Sequence, residues 1–167
     1  MKIIFMGTPE YAGRILEKII ATPDMEVVTV YTQPDKPVGR KKILTAPIVK
    51  TIALENGIRV YQPQRLREAD VVKELKKIEC DYIIVAAYGQ ILPKEVLCHA
   101  PCINLHASIL PQYRGASPIQ QTLLNGETKT GVTAMLMDEG LDTGAIIKIE
   151  TIDVSSNEMS ESLFERF

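Results

Sequence analysis

The stretch MKIIFMGTPEYAGRILEKIIATPDMEVVTVY, residues 1–31, decides the fold class. Lys2–Met6 is a short apolar run with Ile-Ile-Phe at its centre and reads as a buried strand. Gly7-Thr8-Pro9 breaks it. Thr8 is placed to cap a helix, Pro9 suits the first helical position and Glu10 favours the first turn. Ile15, Leu16, Ile19 and Ile20 then form an apolar stripe, so a helix runs to about Thr22. Val27–Tyr31 is a second strand. Strand, loop, helix and strand in that order predict a right-handed parallel unit.

The pattern continues downstream. Pro47–Glu55 reads as a helix stopped by Asn56-Gly57. Arg59–Tyr61 reads as a brief strand and Leu66–Ile78 as an amphipathic helix. Asp81–Ala86 is apolar enough to need cover on both faces, as in a parallel sheet flanked by helices. Tyr88-Gly89-Gln90 ends it in a turn. Ile103–His106 is the next strand, and Pro118 opens a helix through Leu124 with Ser117 as its cap. Gly131–Met137 and Ala145–Ile152 read as strands joined by the loop Asp138–Gly144. Gln33–Pro47 differs. Its prolines, Gly39 and the basic cluster Lys36, Arg40, Lys41 and Lys42 predict a long exposed loop. The sum is an α/β fold with a mainly parallel sheet and helices on both faces. Ligands of such sheets bind beyond the carboxyl ends of the strands. Here those ends are Gly7-Thr8, Tyr88-Gly89 and the segment from Asn104 to Pro111.

The chain has 167 residues, 46% hydrophobic and 24% charged, with a formal net charge of −2. That suits one domain with a sizeable core and excludes a surface that is basic throughout. No apolar run is long enough to span a bilayer, and the N-terminus enters a strand-like pattern with no cleavable signal. A cytoplasmic setting, with no membrane, is expected. Cys80, Cys98 and Cys102 form no disulfide framework. Cys98-His99-x-x-Cys102 lacks a second ligand pair, so no metal is expected. Ser155–Phe167 starts a helix, with Ser156 as a candidate cap, and ends while still amphipathic. The chain therefore reads as a fragment.

Asn104-Leu105-His106 carries the chemistry. Period-two alternation puts Asn104 and His106 on one face at the end of their strand. A carboxamide donor beside an imidazole can stabilise an oxyanion and move a proton. Asp142, in Gly140-Leu141-Asp142-Thr143-Gly144, is the best acid to orient the ring. Residue types alone leave another reading equally open: Asn104 bonding loop backbone, His106 a satisfied core histidine, Asp142 ordinary turn chemistry. Other chemistries fit less well. Gly7-Thr8-Pro9-Glu10-Tyr11-Ala12-Gly13 lacks the second glycine of a dinucleotide fingerprint and puts Glu10 where pyrophosphate would approach. No Walker loop or G-x-S-x-G elbow is present.

Five segments occur in an order that carries a resemblance: Phe5–Pro9, the Pro34-Asp35-Lys36-Pro37-x-Gly39-Arg40 loop, Ala87–Pro93, Asn104–Ile119 and Met137–Gly144. Together they resemble the methionyl-tRNA formyltransferases, within the folate-dependent formyltransferases. The resemblance runs from about residue 3 to the end. Asn104–Ile119 is the segment specific to the wider family, and the Gly-Thr-Pro start and Pro-Asp-Lys-Pro loop favour the tRNA enzymes. It implies a Rossmann-like formyltransferase fold, with residues 1–167 an N-terminal catalytic domain cut short at its end and without the family's C-terminal tRNA-binding domain. It implies transfer of the formyl group of 10-formyltetrahydrofolate to the α-amine of methionyl-initiator-tRNA in translation initiation, by a monomer without a metal. By the resemblance, Asn104, His106 and Asp142 are the catalytic trio. Ser108, Ile109, Leu110 and Pro111 bind the folate, and Tyr88, Gly89, Gln90, Ile91 and Leu92 line the pterin pocket. Lys36, Arg40, Lys41 and Lys42 contact the tRNA. The alternatives are a formyltransferase for a sugar-nucleotide amine or glycinamide ribonucleotide, and a non-catalytic folate-binding module.

Overall fold

The computed structural model describes residues 1–167 and divides into two compact units, Met1–Cys102 and Ile103–Phe167. The first begins with β1 (Lys2–Gly7), α1 (Glu10–Ile20) and β2 (Glu26–Tyr31). It continues through β3 (Lys36–Val38), β4 (Ile43–Thr45), α2 (Ile48–Glu55), β5 (Arg59–Tyr61), α3 (Ala69–Leu75), β6 (Tyr82–Ala86) and α4 (Lys94–Leu97). Its strands run in the order β5-β2-β1-β6, every pair parallel. Ile3, Ile4, Phe5 and Met6 are all buried. Successive residues of a strand face opposite ways, so both faces of the sheet are covered. At the end of β1 a Cβ on Gly7 would lie 2.6 Å from Ala12 Cβ and 2.9 Å from the Ala86 carbonyl oxygen. The strand therefore turns into α1 through a gap that admits only glycine.

The second unit holds most of β7 (Cys102–His106), then α5 (Pro118–Leu124), β8 (Lys129–Leu136), β9 (Ile146–Asp153) and α6 (Ser160–Arg166). Here the pairing is antiparallel, β7 with β8 and β8 with β9. The α/β fold, with its parallel strands and connecting helices, is as the sequence leads one to expect.

Several local expectations differ from the structure. Thr8 does not cap α1. Its hydroxyl donates to the Tyr88 carbonyl at 3.0 Å, and Pro9 holds the cap position with no side-chain bond. The loop over Gln33–Pro47 contains the β3–β4 hairpin, with Lys36 paired to Thr45 and Val38 to Ile43. The helix expected over Leu66–Ile78 covers only Ala69–Leu75: the backbone is still extended at Glu68 (φ −65°, ψ 133°), and the Leu66 N–H donates to Gln90 Oε1 at 2.6 Å. Ser117 sits at the α5 cap position in a left-handed conformation (φ 63°) and makes no capping bond. Met159, not Ser156, precedes α6, where Ser162 Oγ accepts from the Met159 N–H at 3.1 Å. The short α4 was not expected.

Candidate active site

The site is built within the second unit. In β7, Asn104 lies opposite Met135 of β8, and His106 lies opposite Thr133. The loop joining β8 to β9 brings in Asp142 and is braced from inside. Asp138 Oδ1 accepts from the Gly140 N–H (2.9 Å) and the Thr143 hydroxyl (2.7 Å). Those two bonds hold the Asp138 carboxyl below the usual carboxylate range. A Cβ on Gly144 would run into the Leu136 carbonyl oxygen, so the loop closes through glycine. Asp142 itself is left-handed, with φ 51°.

The Asp142 carboxylate draws the site together. Oδ1 accepts from Asn104 Nδ2 at 3.2 Å, and Oδ2 accepts from the Gly115 N–H at 2.7 Å. Oδ2 also stands 3.6 Å from His106 Nδ1, with the histidine and aspartate side chains only 7% and 10% exposed. Arg114 Nε donates to the Asp142 carbonyl at 3.0 Å. On its far side, His106 Nε2 lies 2.7 Å from the Tyr113 carbonyl oxygen. A carbonyl only accepts, so Nε2 carries a proton. Nδ1 then faces a carboxylate. The carboxylate on one side and the carbonyl on the other fix the orientation of the ring.

The strand end leads into a loop that folds back on β8. Ser108 is fully buried, its hydroxyl donating to the Gln112 carbonyl at 2.6 Å. Thr133, also fully buried, donates to the Ser108 carbonyl at 2.7 Å and accepts from the Leu110 N–H at 3.1 Å. Leu110 is buried, Ile109 half-buried and Pro111 exposed. Farther along, the Tyr113 hydroxyl donates to Glu127 Oε1 at 2.6 Å, which holds that phenol above the ordinary tyrosine range.

The remaining sequence candidates lie in the first unit. Tyr88 and Leu92 are buried, while Ile91 is 89% exposed. Gly89 has φ 83°, and its turn is fixed by Gln90, whose Nε2 donates to the Pro63 carbonyl at 3.1 Å. Lys36, Arg40, Lys41 and Lys42 are all exposed on the β3–β4 hairpin. At the hairpin's root, Asp35 accepts from Lys50 Nζ (2.9 and 2.8 Å) and Gln62 Nε2 (2.7 Å). The Gln62 bond, then the lysine, keep its carboxyl below the usual range. Cys102 Sγ points at the Ala100 carbonyl and His99 Nε2 at the Ile78 carbonyl, so this pair does not converge as ligands. Sequence reading missed Thr133, Glu127 and the backbone groups of Tyr113 and Gly115. An isolated threonine opposite the histidine in an apolar strand was the one available signal.

With this geometry in view, the comparisons are direct. The formyl transferase family matches residues 1–167. The chain belongs to that family. Among curated relatives of this chain, the methionyl-tRNA formyltransferase of Sulfurimonas denitrificans is 72% identical over 99% of the chain and 55% of its own length. That of Nitratiruptor sp. is 57% identical, again over 99% and 55%. The chain thus spans about half the length of the curated relatives it matches. A solved phosphoribosylglycinamide formyltransferase from Bacillus halodurans superposes with a TM-score of 0.80 over 99% of this chain and 87% of that one, at 21% identity. A sugar N-formyltransferase from a Shewanella species gives 0.72, over 99% and 63%, at 19% identity. These likenesses establish the Rossmann-like formyltransferase fold.

Proposed function

We propose that this chain carries the formyl-transfer chemistry of a methionyl-tRNA formyltransferase, moving the formyl group of 10-formyltetrahydrofolate to the α-amine of methionyl-initiator-tRNA. The observation that carries the proposal is one carboxylate, Asp142, that holds both Asn104 and His106. A folate-binding module has no use for an oxyanion donor, a ring and an acid so joined.

The residues present suit a folate donor. In the second unit, Ile109–Pro111 offer a loop pinned by Thr133, whose hydroxyl accepts from the Leu110 N–H. When bound, the donor supplies an electrophilic formyl carbon on a ring nitrogen. The chain's own residues do the rest. Asn104 spends one amide hydrogen on Asp142 and directs the other toward charge developing on the formyl oxygen. His106, protonated on both nitrogens, adds positive charge beside it, and Asp142 keeps that ring oriented. As the amine nitrogen bonds to the formyl carbon and the bond to the folate nitrogen breaks, the amine's proton leaves toward Asp142, directly or through water. Asp142 hands that proton on, directly or through water, to the departing nitrogen, so the transfer balances.

The acceptor reading rests on the high identity to tRNA enzymes and on the exposed basic hairpin, with Arg40, Lys41, Lys42 and Lys36 contacting phosphates. A cytoplasmic monomer fits that role. The test supplies the full-length polypeptide with 10-formyltetrahydrofolate and, in parallel, methionyl-tRNA, glycinamide ribonucleotide and an amino-sugar nucleotide. Product on the tRNA alone supports the reading. Preference for either small amine overturns the acceptor, and no transfer to any of them overturns the chemistry.

A further inference from the structure

We infer that Tyr113 and Glu127 are positioning residues that hold the neutral His106 ring in its Nε2–H tautomer, with Nδ1 left open toward Asp142, an inference that rests on the formyl-transfer reading of the same site. Three consecutive residues clamp His106 and Asp142 by backbone and side chain: the Tyr113 carbonyl on His106 Nε2 (2.7 Å), Arg114 Nε on the Asp142 carbonyl (3.0 Å), and the Gly115 N–H on Asp142 Oδ2 (2.7 Å). The clamp sits on backbone that does not hold its own shape cheaply. Tyr113, Gly115 and Ser117 have φ of 56°, 85° and 63°. Left-handed backbone at Tyr113 and Ser117 persists only where its surroundings over-determine it.

The Tyr113 side chain supplies that determination. Its hydroxyl donates to Glu127 Oε1 at 2.6 Å, a short bond to a charged acceptor. Glu127 stands between α5 and β8, and its own N–H donates to the Thr122 carbonyl at 3.1 Å. One residue therefore links two jobs. The Tyr113 side chain grips the scaffold, and its carbonyl fixes which imidazole nitrogen carries the proton. With the grip released, the carbonyl drifts, Nε2–H loses its acceptor, and the ring is free to place its single proton on Nδ1 against Asp142. That tautomer spends on Asp142 the charge-assisted contact that the second proton is meant to make.

The test needs no substrate for its first readout. Long-range proton–nitrogen NMR of the chain at pH 8 reports the His106 tautomer. The wild type should show protonated Nε2 as the dominant form. Tyr113→Phe and Glu127→Leu should each mix the two tautomers, the double variant should be no worse than either single one, and Glu127→Gln, which keeps an acceptor, should stay near wild type. In the full-length polypeptide, Tyr113→Phe should lower kcat about tenfold with the KM for the formyl donor nearly unchanged. Unaltered ring signals in Tyr113→Phe and Glu127→Leu overturn the inference, even where thermal stability falls. Altered ring signals without any formyl transfer by the wild type would leave the positioning intact and refute the reaction instead.

Discussion

Replacing Thr133 by valine gives a direct measure of how the loop after β7 is held. The side chain is fully buried, and its hydroxyl serves two backbone groups at once, the Ser108 carbonyl at 2.7 Å and the Leu110 N–H at 3.1 Å. Valine fills nearly the same space and serves neither. A buried backbone group left without a partner costs about 1–3 kcal/mol, so two cost about 2–6. The added methyl returns about 0.8 kcal/mol. A net loss of about 3 kcal/mol is the central expectation, or roughly 6–12 °C in Tm for a domain of this size. Calorimetry of the wild type, Thr133→Val and Thr133→Ser would test it. Serine keeps the hydroxyl and should lose little more than its methyl. The reasoning fails if valine unfolds within a degree of wild type, or if serine and valine unfold together. Because the loop carries Ile109–Pro111, Thr133→Val should also weaken binding of a folate analogue, whereas serine should not.

Other expectations concern the site and the chain's ionisable groups. Asp142→Asn should leave the loop in place and lower kcat by roughly 30- to 1,000-fold, equivalent to about 2–4 kcal/mol of lost transition-state stabilisation; steady-state kinetics with near-normal circular dichroism checks this. Asn104→Ala should lower kcat by about 10²–10³, the usual cost of removing an oxyanion donor. Asp35 has a folded pKa below its ordinary 3.8, through Gln62 and Lys50. Its contribution to stability is therefore complete above that ordinary value and disappears as pH falls through the lower folded one. Carboxyl carbon NMR should find the midpoint returning toward 3.8 in Gln62→Leu. Burial pushes the Cys102 thiol up to about 12, and burial then Asp81 raise Cys80, while Cys98 is exposed. Iodoacetamide at pH 8 should therefore label Cys98 first and Cys102 last, as read by peptide mass.

The first thirty residues were legible because each signal was local: an apolar strand, a break at Gly7, a helical stripe and a second strand. The trio was legible as residue types, and the structure brings all three together. What the sequence could not disclose was backbone chemistry. Nothing in the letters says that the Tyr113 carbonyl meets His106, since every residue has a carbonyl. Thr8 looked like a cap, but the nearby Tyr88 carbonyl took its hydroxyl. Leu66 continued an amphipathic pattern, yet the backbone stays extended as far as Glu68 and the helix begins only at Ala69. The β3–β4 hairpin escaped because its strands are three residues long and exposed, so no burial imprints alternation on them.

The left-handed backbone at Asp142 has a consequence for how this site can change. Among residues with a Cβ, aspartate and asparagine are those most at home in that conformation. Of the two, only aspartate carries charge. Glutamate would keep the charge, lengthen the arm and sit poorly on the backbone. Asparagine would keep the backbone and surrender the charge. Shape and ionisation are thus welded into one letter, and a lineage drifting at position 142 has no single step that preserves both. Variation in this family member has more room at Arg114, which meets Asp142 only at its backbone carbonyl, than in the acid itself.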